Sequence, residues 1–434
     1  MNPCKTNKMK QGDRIYRTFN SSSLMIILIW LQLITINQAN AQQYDILLKG
    51  GTVIDPKNNM NSLSDLAIVN GKIVKIETNI PAKNAKKVID VTGLYVVPGL
   101  IDNHSHLFAG TVLGAHANGE YSVFPDGFTF RTGTTTIVDC GSSGWRNFKQ
   151  FYEGVIAISH TRVLVRLNIV GLGLSGQELS QNVADMNPEM TAKIAKEYPG
   201  IIVGIKTVQW QGKEWTNVER AIEAGRLADL PVMVDFGKFW PEDRPYQELV
   251  LKKLRPGDIS THMYKREVPL FDENGKLLPY LAEARKRGVF FDIGHGLGNF
   301  NFPIVVPAIK AGWWPDAIST DLHAEDVNHA MKDLNNVMSK IMNMGISLQD
   351  IIKMTTWNPA QMCKRPDLGH LSADAVADVA VLRIVKGNFG WLDITNTRMT
   401  GAEKIECELT IKGGEVVWDL NGIAAKEDYK MIFK

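Results

Sequence analysis

Between residues 100 and 321 the chain carries eight short apolar runs rich in β-branched residues, separated by longer stretches of helical periodicity. They cover residues 100–106, 134–140, 163–170, 201–206, 232–236, 258–262, 289–293 and 317–321. Runs without polar alternation read as strands buried on both faces, and such strands belong in a parallel sheet covered by helices. Eight of them in alternation with helices predict an α/β fold, a closed (β/α)8 barrel of the TIM type. Chemistry on that architecture sits at the C-terminal ends of the strands.

The flanks have a different pattern. Residues 44–48, 52–54, 66–69 and 73–76 read as strands, with a turn at Gly50-Gly51 and a hairpin signal at Asn70-Gly71. Strands return after the barrel at 379–383, 408–412 and 415–418. The two ends are expected to pair into a small β-sandwich domain built from residues 42–97 and 373–434, around a barrel at 98–372. No internal repeat or low-complexity tract interrupts this order.

Residues 1–41 read as a signal peptide. Lys5, Lys8, Lys10, Arg14 and Arg17 precede an apolar run at 24–31 that Leu33-Ile34 continue, and Ala39-Asn40-Ala41 forms an A-x-A cleavage site ahead of Gln42. The apolar run is shorter than the ~20 residues a bilayer span needs, so export to the periplasm or beyond is expected rather than a stable membrane span. The formal charge of +2 includes a leader that carries +4, which leaves about −2 on the rest. A basic nucleic-acid footprint is therefore missing, and a small-molecule partner fits better. Cys140, Cys363 and Cys407 are odd in number and lack CxxC spacing, so no disulfide framework is expected and stability must come from a large core.

The strand ends hold the chemistry. The first ends in His104-Ser105-His106, the fourth in Lys206, the fifth in Asp235, the sixth in His262 and the eighth in Asp321, with His295 just past the seventh. Residues i and i+2 of a strand share a face, so His104 and His106 can turn toward one ion. Singly, Lys206 reads equally as a surface lysine, Asp235 as an N-cap, His262 as a core histidine and Asp321 as a turn residue. Imidazoles and carboxylates at five strand ends together point to a metal site. His116, His160, His329 and His370 lie off the strand ends and read as structural. Trp210, Trp240 and Arg131 fall near mouth loops, where the two tryptophans fit ordinary packing equally well.

Five segments carry a resemblance. They are Leu47-Leu48-Lys49-Gly50-Gly51-Thr52-Val53-Ile54-Asp55-Pro56, Val97-Pro98-Gly99-Leu100-Ile101-Asp102-Asn103-His104-Ser105-His106, Gly204-Ile205-Lys206, Asp292-Ile293-Gly294-His295-Gly296 and Ile318-Ser319-Thr320-Asp321-Leu322-His323. In this order they resemble the amidohydrolase superfamily, and within it the dihydroorotase-like amidohydrolase/deacetylase group. The resemblance implies a pair of divalent ions, zinc first with manganese or iron as alternatives. His104, His106 and Asp321 would hold one ion, His262 the other, and an N6-carboxylated Lys206 would bridge them. A bare ammonium cannot ligate a cation, whereas a carbamate offers two anionic oxygens. The family's histidine at the end of the fifth strand is replaced here by Asp235. An aspartate can ligate these metals but adds a negative charge, lowering the cluster from +1 to neutral and weakening its Lewis acidity.

The implied chemistry is attack by a metal-activated hydroxide, with Asp321 moving the proton and His295 donating to a substrate carboxylate or carbonyl. The expected function is an exported metal-dependent hydrolase that cleaves an amide, cyclic amide or ester of a small, carboxylate-bearing molecule, in the manner of an N-acyl or O-acyl deacetylase. The alternative is a non-catalytic or mononuclear barrel homologue with a binding role, which Asp235 favours. A symmetric homo-oligomer is the default assembly for a soluble enzyme.

Overall fold

The computed structural model describes residues 42–109, 122–207 and 209–426; the expected signal peptide at 1–41, and His116, lie outside them. The first part of the chain forms β1 (Tyr44–Asp55), β2 (Met60–Val69), β3 (Lys72–Glu77), β4 (Ala85–Asp90) and β5 (Tyr95–Pro98). Asn70 and Gly71 both take positive φ, 49° and 73°, the pair of left-handed residues that a tight two-residue hairpin requires.

Seven parallel strands follow in sequential order: β6 (Leu100–Ser105), β7 (Thr134–Gly144), β8 (Arg162–Asn168), β9 (Ile202–Lys206), β10 (Val232–Val234), β11 (Ile259–Ser260) and β12 (Phe290–Phe291). The eighth expected strand makes no continuous ladder. Asp292 bridges Ala317 on one side and Ser105 bridges Leu322 on the other, both in parallel. Ile293 N donates to Ala317 O at 3.1 Å, Asp321 N to His104 O at 2.8 Å and His106 N to Leu322 O at 2.8 Å, so the ring closes across this stave. Side chains explain its irregularity. The Asp102 carboxylate accepts from Thr320 N, a backbone donor that a regular ladder would have used, and from Thr320 Oγ1, while Asp292 accepts from Ser319 Oγ and ties down the neighbouring side chain.

One apolar cluster takes Ile101, Val138, Leu164, Val203, Met233, Ile259 and Ala317 from seven of the staves and is closed by Ala360, Met362 and Cys363. Burial of each larger side chain contributes roughly 1.5–3 kcal/mol. The covering helices start where the sequence provides caps. In α1 (Pro188–Glu197) the Asn187 side chain accepts from Met190 N and proline occupies the first turn, a cap worth about 1 kcal/mol. In α2 (Leu334–Asn343) Asp333 does the same for Asn336 N.

After the barrel, β13 (Val379–Leu392), β14 (Arg398–Lys412) and β15 (Glu415–Asp419) return to the first sheet. Val97 of β5 pairs with Ala380 of β13, so both ends of the chain share one mixed sheet of eight strands. β13 and β14 run well beyond the expected 379–383 and 408–412. Tertiary support carries them: Asn343 at the end of α2 donates to Glu403 O and accepts from Ala402 N. Cys140, Cys363 and Cys407 are free and buried. Among the described residues no helix is long and apolar enough to cross a membrane.

Candidate metal centre

At the C-terminal ends of the barrel staves lies a cavity of about 280 Å³, and His104, His106, Lys206, Asp235, His262 and Asp321 all line it. The six are buried. Their side chains converge: His106 Nε2 lies 3.0 Å and His104 Nε2 3.4 Å from Asp321 Oδ1, Lys206 Nζ 3.1 Å from His104 Nε2, and His262 Nε2 3.6 Å from Asp235 Oδ2. His104, His262 and Asp321 each offer one ligand atom within 4.8 Å of the others.

The surrounding protein sets the direction of each imidazole. His104 Nδ1 meets Thr261 Oγ1 at 2.9 Å and Asp292 Oδ2 at 3.4 Å, His106 Nδ1 meets Ser142 Oγ at 3.2 Å, and His262 Nδ1 donates to Gly294 O at 2.8 Å. With Nδ1 engaged outside, all three rings present Nε2 to the cavity, the arrangement in which outer partners orient metal-binding histidines. Two of the six residues also hold left-handed backbone, His262 at φ 59° and Asp321 at φ 58°. Such conformations are unfavourable for non-glycine residues and cluster at functional sites.

Charge is arranged around the same point. Burial, reinforced by the Lys206 ammonium, pushes His104 down to about 3, which keeps its ring neutral and able to ligate. Burial alone would raise Asp235, but the charge and hydrogen bond of His262, with Lys265 and Lys206 nearby, hold its carboxyl below the ordinary range. Burial likewise opposes ionisation of Asp321, and His104, His106 and His262 outweigh it. Two ionised carboxylates and three ring nitrogens around a small cavity, with Lys206 beside them, are a donor set that suits a borderline divalent cation.

His295 departs from expectation. It is fully buried, stacks on Phe300 at 4.5 Å and does not line the cavity. Its Nε2 sits 2.9 Å from Lys340 Nζ, because positive φ at Gly294 and Gly296 turns the segment so that the ring faces α2. Trp210 and Trp240 pack their loops, donating to Glu214 O and Gln211 O, and Arg131 lies over Phe128.

The cavity includes residues that strand-end reasoning missed. Gln181, Gln209 and Gln211 border it on one side and Asn299, His323 and Glu325 on another. His323 could have been found, two positions beyond Asp321 in the same segment. The loop amides carry no spacing signal. Asp292 is a further omission: it accepts from Thr261 Oγ1 and Ser319 Oγ, both at 2.8 Å, and from Asn103 Nδ2 at 3.2 Å, while facing His104.

Comparison with known proteins agrees with this geometry. A pattern described as "Amidohydrolase family" matches residues 297–418. A deacetylase of Enterococcus faecalis is 28% identical over 382 residues, covering 86% of this chain and 99% of the relative. Among solved structures, an adenine deaminase superposes with a TM-score of 0.77 at 28% identity, over 87% of this chain and 100% of the other. A dihydroorotase superposes at 0.73 with 25% identity, over 86% and 99%.

Proposed function

The chain belongs to the amidohydrolase superfamily, in its dihydroorotase-like group, and is a hydrolase of C–N bonds; from that premise we propose that it cleaves an amide, cyclic amide or ester of a small molecule, with N-acyl or O-acyl deacetylation as the reaction it resembles most. The observation that carries this reading is the convergence of three inward Nε2 atoms, Asp321 and Lys206 on one cavity.

His104, His106 and Asp321 would hold one divalent ion, with His262 and Asp235 toward a second and Lys206, once carboxylated, between them. When bound, such ions lower the pKa of a coordinated water and polarise a carbonyl. The protein's own part is to keep His104 neutral, to aim all three imidazoles inward, and to keep Asp321 ionised. Asp321 takes a proton from the attacking water and returns it to the leaving nitrogen or oxygen. A one-ion variant of the same chemistry is supported by the contact between Asp235 and His262, which lets the carboxylate act electrostatically.

Export belongs to the proposal as well, supported by the basic, apolar and A-x-A parts of residues 1–41. N-terminal sequencing of protein from the cell envelope fraction should begin at Gln42.

The test of the reaction is release of carboxylate or amine from a panel of N-acyl and O-acyl compounds by the zinc- or manganese-loaded enzyme and by Asp321→Asn. Turnover by the wild type and its loss in Asp321→Asn are expected. Equal turnover in both removes Asp321 as the proton carrier.

A further inference from the structure

The cavity contains a buried amide that the chemistry above does not use. Asn299 is 9% exposed, lines the cavity, and its side chain makes no hydrogen bond to another described residue. It sits beside the reacting carboxylate: a Cβ placed on Gly296 would be 3.2 Å from Asn299 Nδ2 and 2.3 Å from Asp321 Oδ2. An amide that opens onto the cavity and makes no bond to the described protein groups keeps its donors and its acceptor free for a ligand atom.

Three more amides belong to the lining: Gln181, Gln209 and Gln211. Gln181 uses both ends of its side chain as a strut, donating to Gln209 O at 2.8 Å and accepting from Gln211 N at 2.9 Å. That strut holds the loop after β9, whose Gln209 and Gln211 are exposed at the cavity. Before any metal is bound, the lining sets the carboxylates of Asp235, Asp321 and Glu325 against Lys206 and four histidines, and among the described lining residues there is no arginine and no second lysine to meet a substrate anion away from the metal ligands. Residues 110–121, outside the described ones, contain neither lysine nor arginine in sequence.

A substrate carboxylate would therefore lose its hydration without a cation of its own to meet it. Asn and Gln amides each offer donors and an acceptor. Neutral amides and hydroxyls match both, whereas a carboxylate, an acceptor only, matches half. We propose that the site selects an uncharged, multiply hydrogen-bonding acyl compound over an anionic one, with Asn299 as the residue that contacts it. This replaces the expected carboxylate-bearing substrate and rests on the hydrolase reading above.

Matched probes separate the two classes: N-acetyl amino acids and their primary amides, equal in skeleton and differing in charge. Binding to the zinc-loaded enzyme is measured by calorimetric titration, and hydrolysis by release of acetate. The amides should bind at least tenfold more tightly than the acids. Asn299→Ala should weaken amide binding roughly five- to tenfold, the scale of one neutral hydrogen bond, and leave the acids little changed, with partial recovery in Asn299→Gln. Gln209→Arg should raise affinity for the acids. Preference for acids, equal affinity for both classes, an Asn299→Ala loss shared equally by both, or binding of neither overturns the proposal. Amide binding without hydrolysis upholds the substrate class and counts against the hydrolase reading alone.

Discussion

Gly296 offers a sharp perturbation because its surroundings make two separate demands. Its φ is 46°, and a Cβ added there would lie 2.3 Å from Asp321 Oδ2. Gly296→Ala therefore carries a left-handed backbone cost of roughly 1–2 kcal/mol. It also forces the Asp321 carboxylate to retreat by about 1 Å to reach van der Waals contact. The first effect lowers the melting temperature by no more than about 2–4 °C per kcal/mol in a chain of this size. The second is far larger for the site, since metal–ligand distances tolerate about 0.2 Å and a displacement near 1 Å costs about 100-fold in rate. Gly298→Ala is the control, because a Cβ there meets nothing within 4 Å. Metal per chain, hydrolysis and thermal unfolding are measured on both variants. Gly296→Ala should stay folded yet lose metal or fall about 100-fold in rate, while Gly298→Ala matches the wild type. Wild-type metal content and rate in Gly296→Ala would refute a working role for Asp321.

Three further outcomes follow from buried charge. Asp292→Asn removes the carboxylate that Thr261 and Ser319 donate to and that faces His104 Nδ1, so chelator competition should show zinc affinity lowered about 10- to 100-fold; unchanged affinity contradicts the orienting role. At Asp65, burial raises the carboxyl, but Lys49 and the N–H groups of Gly50 and Ile80 hold it below its ordinary value, so its stabilisation is present above about pH 3.9 and is lost as pH falls through the lower folded value. Asp65→Asn should cost about 1–3 kcal/mol in urea unfolding at pH 7, with the deficit shrinking below about pH 4. Burial, aided by Lys332, lowers Lys340 to about 7, so between there and about 10.4 the unfolded chain holds a proton that the folded chain does not and stability rises with pH. Lys340→Met should flatten that rise, and a slope unchanged from the wild type rules Lys340 out as its source.

The barrel was legible because burial on both faces leaves little choice of residue, so strands such as β9 and β12 stand out as apolar runs even where the ladder is only a few residues long. The eighth stave was legible as a position and not as a strand, since Asp102 and Asp292 draw its polar groups away through contacts that link residues far apart in sequence. The length of β13 and β14 depends on Asn343, a remote side chain; β5 is a short strand without alternation, and the alternating burial of β4 is hidden in sequence by an exposed Val88. At the site, the i, i+2 pairing of His104 and His106 and the strand-end positions of Lys206, Asp235, His262 and Asp321 all lead to one cavity. His295 misled because spacing along the chain says nothing about the direction a glycine-flanked turn gives to a ring. Asn299 and the glutamines were silent for the converse reason: their placement is made by loops, whose shape comes from tertiary contacts.

We propose that these six side chains hold divalent metal. Metal per chain, measured after reconstitution of the full-length protein with zinc or manganese in bicarbonate, tests it most directly. Two ions per chain are predicted for the wild type, with a large loss in a His104→Ala/His106→Ala double variant that remains folded. One ion would remove the bridging role of Lys206 and leave the one-ion mechanism, while no bound metal, or equal metal in wild type and double variant, would contradict the claim.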